Sequence, residues 1–175
     1  MSQKLATFCY NLTMKNINNL DRLDFKIRAL LHSKKVAHIL YNFIWALLER
    51  ASNHDDSKFT EQEVEGYTKA MLMSKDVKYG SPEYKQMLEE IKPALEHHYA
   101  NNRHHPEWHK NQIEGMTLID LIEMLADWQA ATTRNKDGDI YSSIDFGIVR
   151  YKISPQLKSI LINTAKEYFK EDVSS

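Results

Sequence analysis

Apolar residues along most of this chain recur at steps of three and four positions, which is the spacing of one face of an α-helix. One such run contains Leu20, Leu23, Ile27 and Leu30, and a second lies between residues 36 and 48. Glycine and proline, which interrupt helices, number only five and four in 175 residues. The pattern therefore predicts an all-α chain.

Short polar signals predict where helices begin. Four segments combine capping residues with early proline or acidic residues: Thr60–Glu63, Ser81–Pro82, Thr117–Asp120 and Ser154–Pro155. The second helix should run towards Tyr99 with a kink or restart at Pro93. The third should end near Ala131 and the last near Lys170, while residues 135–139 should form a turn.

The composition is that of an ordinary globular domain, and we expect one domain over residues 1–175 with residues 1–20 at its periphery. The net charge of −1 argues against duplex nucleic acid as a partner. Cys9 is the single cysteine, which fits a reducing cytoplasm, and no apolar run reaches the roughly 18–20 residues of a membrane span. We therefore expect a cytoplasmic protein without a membrane partner. So helical a chain is also compatible with a homo-oligomer.

The pair His54-Asp55, within N-H-D-D-S-K-F at 53–59, is the most informative local feature. An imidazole beside a carboxylate supplies two ligands for a borderline divalent ion such as Zn²⁺, Mn²⁺, Fe²⁺, Co²⁺ or Ni²⁺. Lys58 adds a cation that can contact a phosphate. Taken alone, the pair is equally well explained as two loop residues bonded to local backbone.

Three acidic residues, Asp120, Glu123 and Asp127, share one face of the helix predicted after Thr117. Apolar residues cover nearly all its remaining surface, so the helix should be buried, and a buried carboxylate needs a partner or a metal. We expect Asp120 at the N-cap, Glu123 in a solvated stripe and Asp127 as the carboxylate with a buried role.

Five histidines lie between residues 97 and 109. One or two are expected to complete a second metal site or to protonate a leaving group, and at least two to be hydrogen-bonded loop residues. Arg103 within this segment is a second candidate for phosphate binding. Tyr99, Trp108 and Trp128 could stack on a base, with plain core packing as the alternative.

His32 poses a geometric problem, because it precedes His54 by 22 residues. In an unbroken helix that separation is about 33 Å, which no ion bridges. Either the chain folds back near Tyr41, or His32 serves another site, for example in a neighbouring subunit. His38 is a substitute ligand, although its position beside the apolar stripe favours a structural role.

In this order, His32, His54-Asp55 and Asp127 resemble the H…HD…D signature of the HD-domain phosphohydrolase superfamily. The segments H-S-K-K-V-A at 32–37 and H-D-D-S-K at 54–58 are similar to motifs of its cyclic-di-nucleotide phosphodiesterase branch. That branch has Ile-Gly where this chain has Asp56-Ser57, so its substrate is not implied.

A longer resemblance, from about 27 to 165, is to an HD-like family of phage and bacterial genomes with no settled activity. The matching segments are R-A-x-N-H-D-x-S-K at 50–58, Y-G-S-P-E-Y-K at 79–85, H-H-Y-x-N-N-R-H-H-P-E at 97–107 and L-I-D-L-I-E-M-L-A-D-W at 118–128.

The resemblance implies a helical HD-domain-like bundle with a metal site between helices. It assigns four ligands, His32, His54, Asp55 and Asp127, and makes Lys58 a phosphate contact. HD branches with two metals draw further histidines from the intervening segment, where the candidates are His98 and His104, with His105 and Glu107 as alternatives. The short interval before His54 is a departure from the superfamily that weakens the assignment of His32.

Together, these features predict a metal-dependent phosphohydrolase acting on a nucleoside mono- or triphosphate or a cyclic nucleotide. One or two divalent ions (Mn, Co, Zn, Fe or Ni, with Mg as a further option) would lower the pKa of a bound water for attack on phosphorus. Asp55 would bridge metal and nucleophile, and Lys58 and Arg103 would offset the phosphate charge. His104 or His105 would protonate the leaving oxygen, and Trp108 would contact the substrate.

Two other functions fit the same residues. The chain could be a nucleotide-sequestering protein, phage-encoded and acting in the host cytoplasm, that kept the bundle and lost catalysis. Alternatively, the metal site could be purely structural, with four closed ligands.

Overall fold

The structure is a computed structural model that describes residues 19–73, 77, 81–133 and 138–169. Within these residues it contains α-helices and no strand, which confirms the all-α prediction. The α-helices are α1 Asn19–Asn53, α2 Glu61–Met73, α3 Pro82–Glu90, α4 Lys92–Asn101, α5 Leu118–Thr132, α6 Ile140–Tyr151 and α7 Pro155–Tyr168. Short 3-10 turns occupy Asp56–Phe59, Pro106–Trp108 and Gln112–Gly115. None of the described helices is both long and apolar enough to cross a membrane.

Capping residues begin the helices largely where the sequence predicts. Ser81 accepts a hydrogen bond from the backbone of Tyr84 at the start of α3, and Ser154 caps α7 in the same way. The break between α3 and α4 falls at Ile91, which confirms a restart next to Pro93. The segment before residue 19, with Cys9, and most of the turn predicted at 135–139 lie outside the described residues.

Helix α6 is an addition to the predicted elements. Asp139, which the sequence places in a turn, is its N-cap and accepts hydrogen bonds from the backbone N–H groups of Tyr141 and Ser142. A carboxylate at this position satisfies N–H groups that have no partner within the helix. The turn signal therefore marks the start of a helix whose buried face includes Ile140 and Ile144.

The chain divides into two compact units, residues 1–45 and 46–175, and the boundary falls inside α1. Helix α1 is continuous from Asn19 to Asn53, so the alternative in which the chain folds back near Tyr41 is wrong. No residue of α1 is buried, and large apolar side chains such as Leu31 and Trp45 are exposed. The single domain and the homo-oligomer stay predictions.

The second unit contains two apolar clusters. The larger joins α5, α6 and α7 through six buried residues, Leu125, Ile140, Ile144, Ile153, Leu161 and Ala165. The smaller joins α2 to the α3–α4 junction through Ala70, Met87 and Ile91. Each fully buried Leu, Ile or Met stabilises the fold by about 1.5–3 kcal/mol. Contacts between the polar side chains of α2, α4 and α5 assemble the site described next.

Candidate metal centre

The turn after α1 supplies the first residues of the site. His54 and Asp55 follow the last residue of α1, and Asp55 adopts the left-handed backbone conformation with φ 61° and ψ 19°. Aspartate tolerates this conformation better than most residues, although it remains uncommon outside glycine. The backbone here turns directly into the 3-10 turn that precedes α2.

Two groups of side chains are arranged so that each could hold a metal ion. One consists of Asp55, His98, His104 and His105, and the other of His54, His104 and Asp127; within each group the ligand atoms lie within 4.8 Å of one another. His104 belongs to both groups. The structure thus brings together six of the residues that the sequence singles out.

Three atoms in the first group are buried without a hydrogen-bond partner: Oδ1 of Asp55 and both ring nitrogens of His104. The Asp55 oxygen lies 3.6 Å from Nε2 of His104 and 3.4 Å from Nε2 of His98. Ligands about 2.1 Å from a tetrahedral ion lie roughly 3.4 Å from one another. The spacing therefore fits a divalent cation with nitrogen and oxygen ligands. Such a cation would also give the buried atoms the partner that they lack, and a buried polar atom without a partner is costly.

Glu123 lies behind two histidines of the metal groups, His54 and His104. Its Oε1 atom lies 3.0 Å from Nδ1 of His54 and 3.3 Å from Nδ1 of His104. The opposite nitrogen of His54 is 3.4 Å from Asp55 and 3.7 Å from Asp127. A carboxylate behind a ligating histidine fixes the ring and its tautomer. The side chain of Glu123 is only 10% exposed, so its predicted place in a solvated stripe is wrong.

Glu63 plays the same part for a second pair of histidines. It is completely buried, and its two oxygens accept hydrogen bonds from Nδ1 of His97 at 2.6 Å and Nδ1 of His98 at 2.9 Å. The opposite nitrogen of His98 is thereby directed towards Asp55 and His105. The predicted helix start after Thr60 is confirmed, but the Glu63 carboxylate binds histidines of α4 instead of closing a capping box.

Lys58 holds the outer oxygen of Asp55. Its Nζ donates a hydrogen bond to Asp55 Oδ2, which leaves Oδ1 directed at the histidines. Burial alone would raise the pKa of Asp55, but Lys58 and the neighbouring His54 lower it below its usual value, so the carboxylate is ionised. The role of Lys58 as a phosphate contact stays a prediction.

An ion-pair network around the buried carboxylate of Asp120 supports the site from α5. Asp120 is completely buried and accepts hydrogen bonds from Arg50 at 2.9 Å and from Arg103 at 3.1 Å. Arg50 also donates to Glu123 at 2.9 Å, so the network reaches the residue that holds His54 and His104. The N-cap of α5 is Thr117, and Asp120 is the third helical residue, which corrects its predicted place.

Arg103 and Trp108, both predicted to bind substrate, contact each other. The Arg103 guanidinium lies 4.6 Å from the centre of the Trp108 ring while it pairs with Asp120. Arg103 thus contacts Asp120 and Trp108 in the structure. The predicted contacts of Arg103 with phosphate and of Trp108 with a base stay predictions. Sequence reasoning missed Arg50, Glu63 and Glu123 as supports of the site.

The carboxylates and imidazoles of the site shift one another's pKa values. Asp127 and Glu123 raise the pKa of His54 to about 10. Burial alone would raise the pKa of Glu123, but His104 and His54 lower it to about 2. Burial and the neighbouring His104 and His98 lower the pKa of His105 to about 3. The carboxylates therefore favour positive charge in the site, while His105 is neutral, the form that binds metals.

Neither group includes His32 or His38. The assignment of His32 as a ligand stays a prediction. Glu107, an alternative ligand, is also outside the two groups and instead accepts hydrogen bonds from Arg150 at 2.7 Å and Tyr151 at 3.1 Å.

The chain matches a protein-family model over most of its length. The model of a family described as a family of unknown function, DUF5662, matches residues 22–167. No curated protein and no solved structure matches the chain.

Proposed function

We propose that this chain, which belongs to the family of unknown function DUF5662, is a metal-dependent phosphohydrolase of the HD type that acts on a nucleotide. The observation that supports the metal most directly is the pair of unpartnered buried atoms, Asp55 Oδ1 and His104 Nε2, with His98 and His105 beside them. The resemblance of His54-Asp55 and Asp127 to the HD signature supports the reaction class and the nucleotide.

The donor set favours a transition metal. Imidazole nitrogens outnumber carboxylate oxygens in the first group, and such mixtures suit Zn²⁺, Mn²⁺, Fe²⁺, Co²⁺ or Ni²⁺ better than Ca²⁺ or Mg²⁺. A divalent metal held there would supply Lewis-acid activation of a water nucleophile and of the phosphate oxygens.

The chain's own residues would prepare the site for that chemistry. Glu63 and Glu123 orient the histidines, and Lys58 keeps Asp55 ionised with one oxygen directed inwards. The positive charge of Lys58 beside the site would offset the charge of a bound phosphate. His104 and His105 both belong to the first group, so we assign them to cation binding, and protonation of the leaving oxygen by either ring stays a prediction.

Turnover by chelator-treated protein would test this proposal. The protein is incubated with Mn²⁺, Co²⁺, Zn²⁺, Ni²⁺, Fe²⁺ or Mg²⁺ and a panel of nucleoside mono- and triphosphates and cyclic nucleotides, and the products are separated by chromatography. We expect turnover with at least one transition ion, and its loss in the His54→Ala/Asp55→Ala variant. Nucleotide recovered intact on the protein would instead support sequestration, and a bound metal without nucleotide binding or turnover would support a structural site.

The predicted ligand role of His32 has a matched control in His38, since both are exposed histidines of α1. If His32 is a ligand, His32→Ala should weaken metal binding at least tenfold, and His38→Ala should leave it unchanged. Equal affinities in the two variants and the parent would remove His32 from the ligand set.

A further inference from the structure

A cavity of about 540 Å³ lies between the end of α5 and one face of α6. Its size is within the roughly 300–1,000 Å³ typical of small-molecule sites. The walls include Trp128 and Ala131 from α5 and Phe146, Arg150 and Tyr151 from α6. Aromatic surfaces with a few polar groups are the usual lining of a site for a planar organic ligand.

Two aromatic residues of the wall have nearly parallel rings. The rings of Trp128 and Tyr151 are inclined by only 12°, with their centres 6.5 Å apart. Gly147 allows the Trp128 ring to lie against α6, because a Cβ atom there would come within 2.4 Å of Trp128 Cη2. Glycine inside a helix costs about 1 kcal/mol of helix stability relative to alanine. At Gly147 this cost is accompanied by space for the Trp128 ring.

Arg150 is the one cationic residue in the described lining of the cavity, whose other polar residues are Thr132, Asp139, Ser142 and Ser143. The Nη2 atom of Arg150 donates to Glu107 at 2.7 Å and to Tyr99 at 3.4 Å, and the guanidinium lies 5.0 Å from the centre of the Tyr151 ring. A guanidinium has further N–H groups on Nε and Nη1 that can donate to ligand acceptors. The Ser143 hydroxyl donates to the backbone oxygen of Asp139, so it can offer a ligand only an acceptor.

Tyr99 connects the cavity wall to the candidate metal centre. The ring of Tyr99 lies 4.9 Å from that of His105, a member of the first metal group, and the Tyr99 hydroxyl accepts the hydrogen bond from Arg150. One tyrosine therefore contacts both the metal group and the cavity wall. On α5, Trp128 directly follows Asp127, a member of the second metal group.

We propose that this cavity binds the base of the nucleotide, with Trp128 and Tyr151 as its aromatic walls and Arg150 as its hydrogen-bond donor. The inference rests on the proposed function for the phosphate end of the same ligand. It assigns the cavity to a planar heterocycle, because parallel aromatic walls and a guanidinium match a flat ring with acceptor atoms at its edge.

Two phenylalanine substitutions on α5 form a matched test. Ala131 lines the cavity and is half-buried, whereas the neighbouring Ala130 is exposed and outside it. Ala131→Phe would fill the cavity without removing a core side chain, and Ala130→Phe adds the same ring to solvent. Circular dichroism and thermal unfolding would verify that both variants are folded.

Binding of phosphate-free nucleosides tests the cavity without the metal. Adenosine, guanosine, cytidine, uridine and thymidine are titrated by calorimetry into EDTA-treated protein. We expect at least one to bind the parent and Ala130→Phe alike, with affinity at least tenfold lower in Ala131→Phe. No nucleoside binding to the parent, or equal binding to both variants, would overturn the inference.

A kinetic comparison separates this inference from the proposed function. With metal, Ala131→Phe should lower kcat/KM at least tenfold for a nucleotide and leave it unchanged for 2-deoxyribose 5-phosphate, which has no base. If both substrates are turned over and Ala131→Phe lowers kcat/KM equally for the two, the base site is refuted and the proposed phosphohydrolase activity stands. If Ala131→Phe weakens nucleoside binding but no metal supports turnover, the base site stands and the proposed phosphohydrolase activity is refuted.

Discussion

Oδ1 of Asp55 lies 3.6 Å from Nε2 of His104, and both atoms are buried without a hydrogen-bond partner. The other oxygen of Asp55 is held by Lys58, and the other nitrogen of His104 lies 3.3 Å from Glu123. Asp55 Oδ1 and His104 Nε2 are too far apart to form a hydrogen bond with each other. Because both atoms are buried, leaving them without a partner costs free energy. A shared cation would satisfy both, which is why we place the metal there.

Glu123→Gln should weaken metal binding about 10–100-fold, the range typical for loss of a residue that orients metal ligands. The amide keeps the shape of Glu123 but loses the negative charge that orients His54 and His104. Calorimetric titration with Zn²⁺ or Mn²⁺ would measure the affinity. Glu114→Gln, at an exposed position, serves as the control, and equal affinities in the two variants would contradict the supporting role of Glu123.

Asp120→Asn should destabilise the fold by about 1.5–3 kcal/mol, because it removes the buried carboxylate to which Arg50 and Arg103 donate. Urea unfolding would measure the difference. The control is Asp145→Asn, whose pair with Lys158 is exposed and should contribute at most about 1 kcal/mol. Similar losses in both variants would show that the Asp120 network contributes no more than a surface pair.

The contribution of Asp120 should also depend on pH. Burial alone would raise its pKa, but Arg103 and Thr117 hold that pKa well below its usual range. A carboxyl whose pKa is lower in the folded state stabilises the fold above its unfolded pKa of about 3.9, and that stabilisation is lost as the pH falls further. The difference in unfolding free energy between parent and Asp120→Asn should therefore shrink as the pH falls from about 5 to 2. A constant difference would contradict this ionisation.

Gly147→Ala should destabilise the protein by about 1–2 kcal/mol, although alanine is the better helix former. The reason is the 2.4 Å approach of its Cβ to the Trp128 ring. In a Trp128→Phe background the smaller ring leaves room, so the same substitution should become neutral or stabilising. Urea unfolding of all four proteins forms a double-mutant cycle, and equal effects in the two backgrounds would rule out the predicted clash.

Local chemistry made much of the helical framework predictable. Ser81, Thr117 and Ser154 cap helices in the structure because a side-chain oxygen satisfies backbone N–H groups within the next three residues. The start of α6 was missed, although Ile140, Ile144 and Ile148 have helical spacing. Aspartate is both a turn former and a helix cap, and the neighbouring Gly138 favours the turn at this position.

The carboxylates that orient the histidines of the site could not be predicted from short sequence segments. Glu63 and Glu123 occupy positions that suit a capping box and a solvated stripe, but their partners are His98 and His54, which lie 35 and 69 residues away. Such pairings depend on how α2, α4 and α5 pack, which no short sequence window contains. The metal-binding residue types were recognisable because His54-Asp55 and the histidine-rich segment are dense in potential ligands.

Metal titration of Asp55→Asn tests the central claim most directly. Asparagine tolerates the left-handed backbone of Asp55 and removes only the charge, and Asp56→Asn makes the same change at the exposed next residue. Calorimetry of chelator-treated proteins with Zn²⁺ and Mn²⁺ should show binding to the parent and to Asp56→Asn, with affinity at least 100-fold lower in Asp55→Asn. Unchanged binding in Asp55→Asn, or no binding to the parent, would contradict a metal centre at Asp55 and His104.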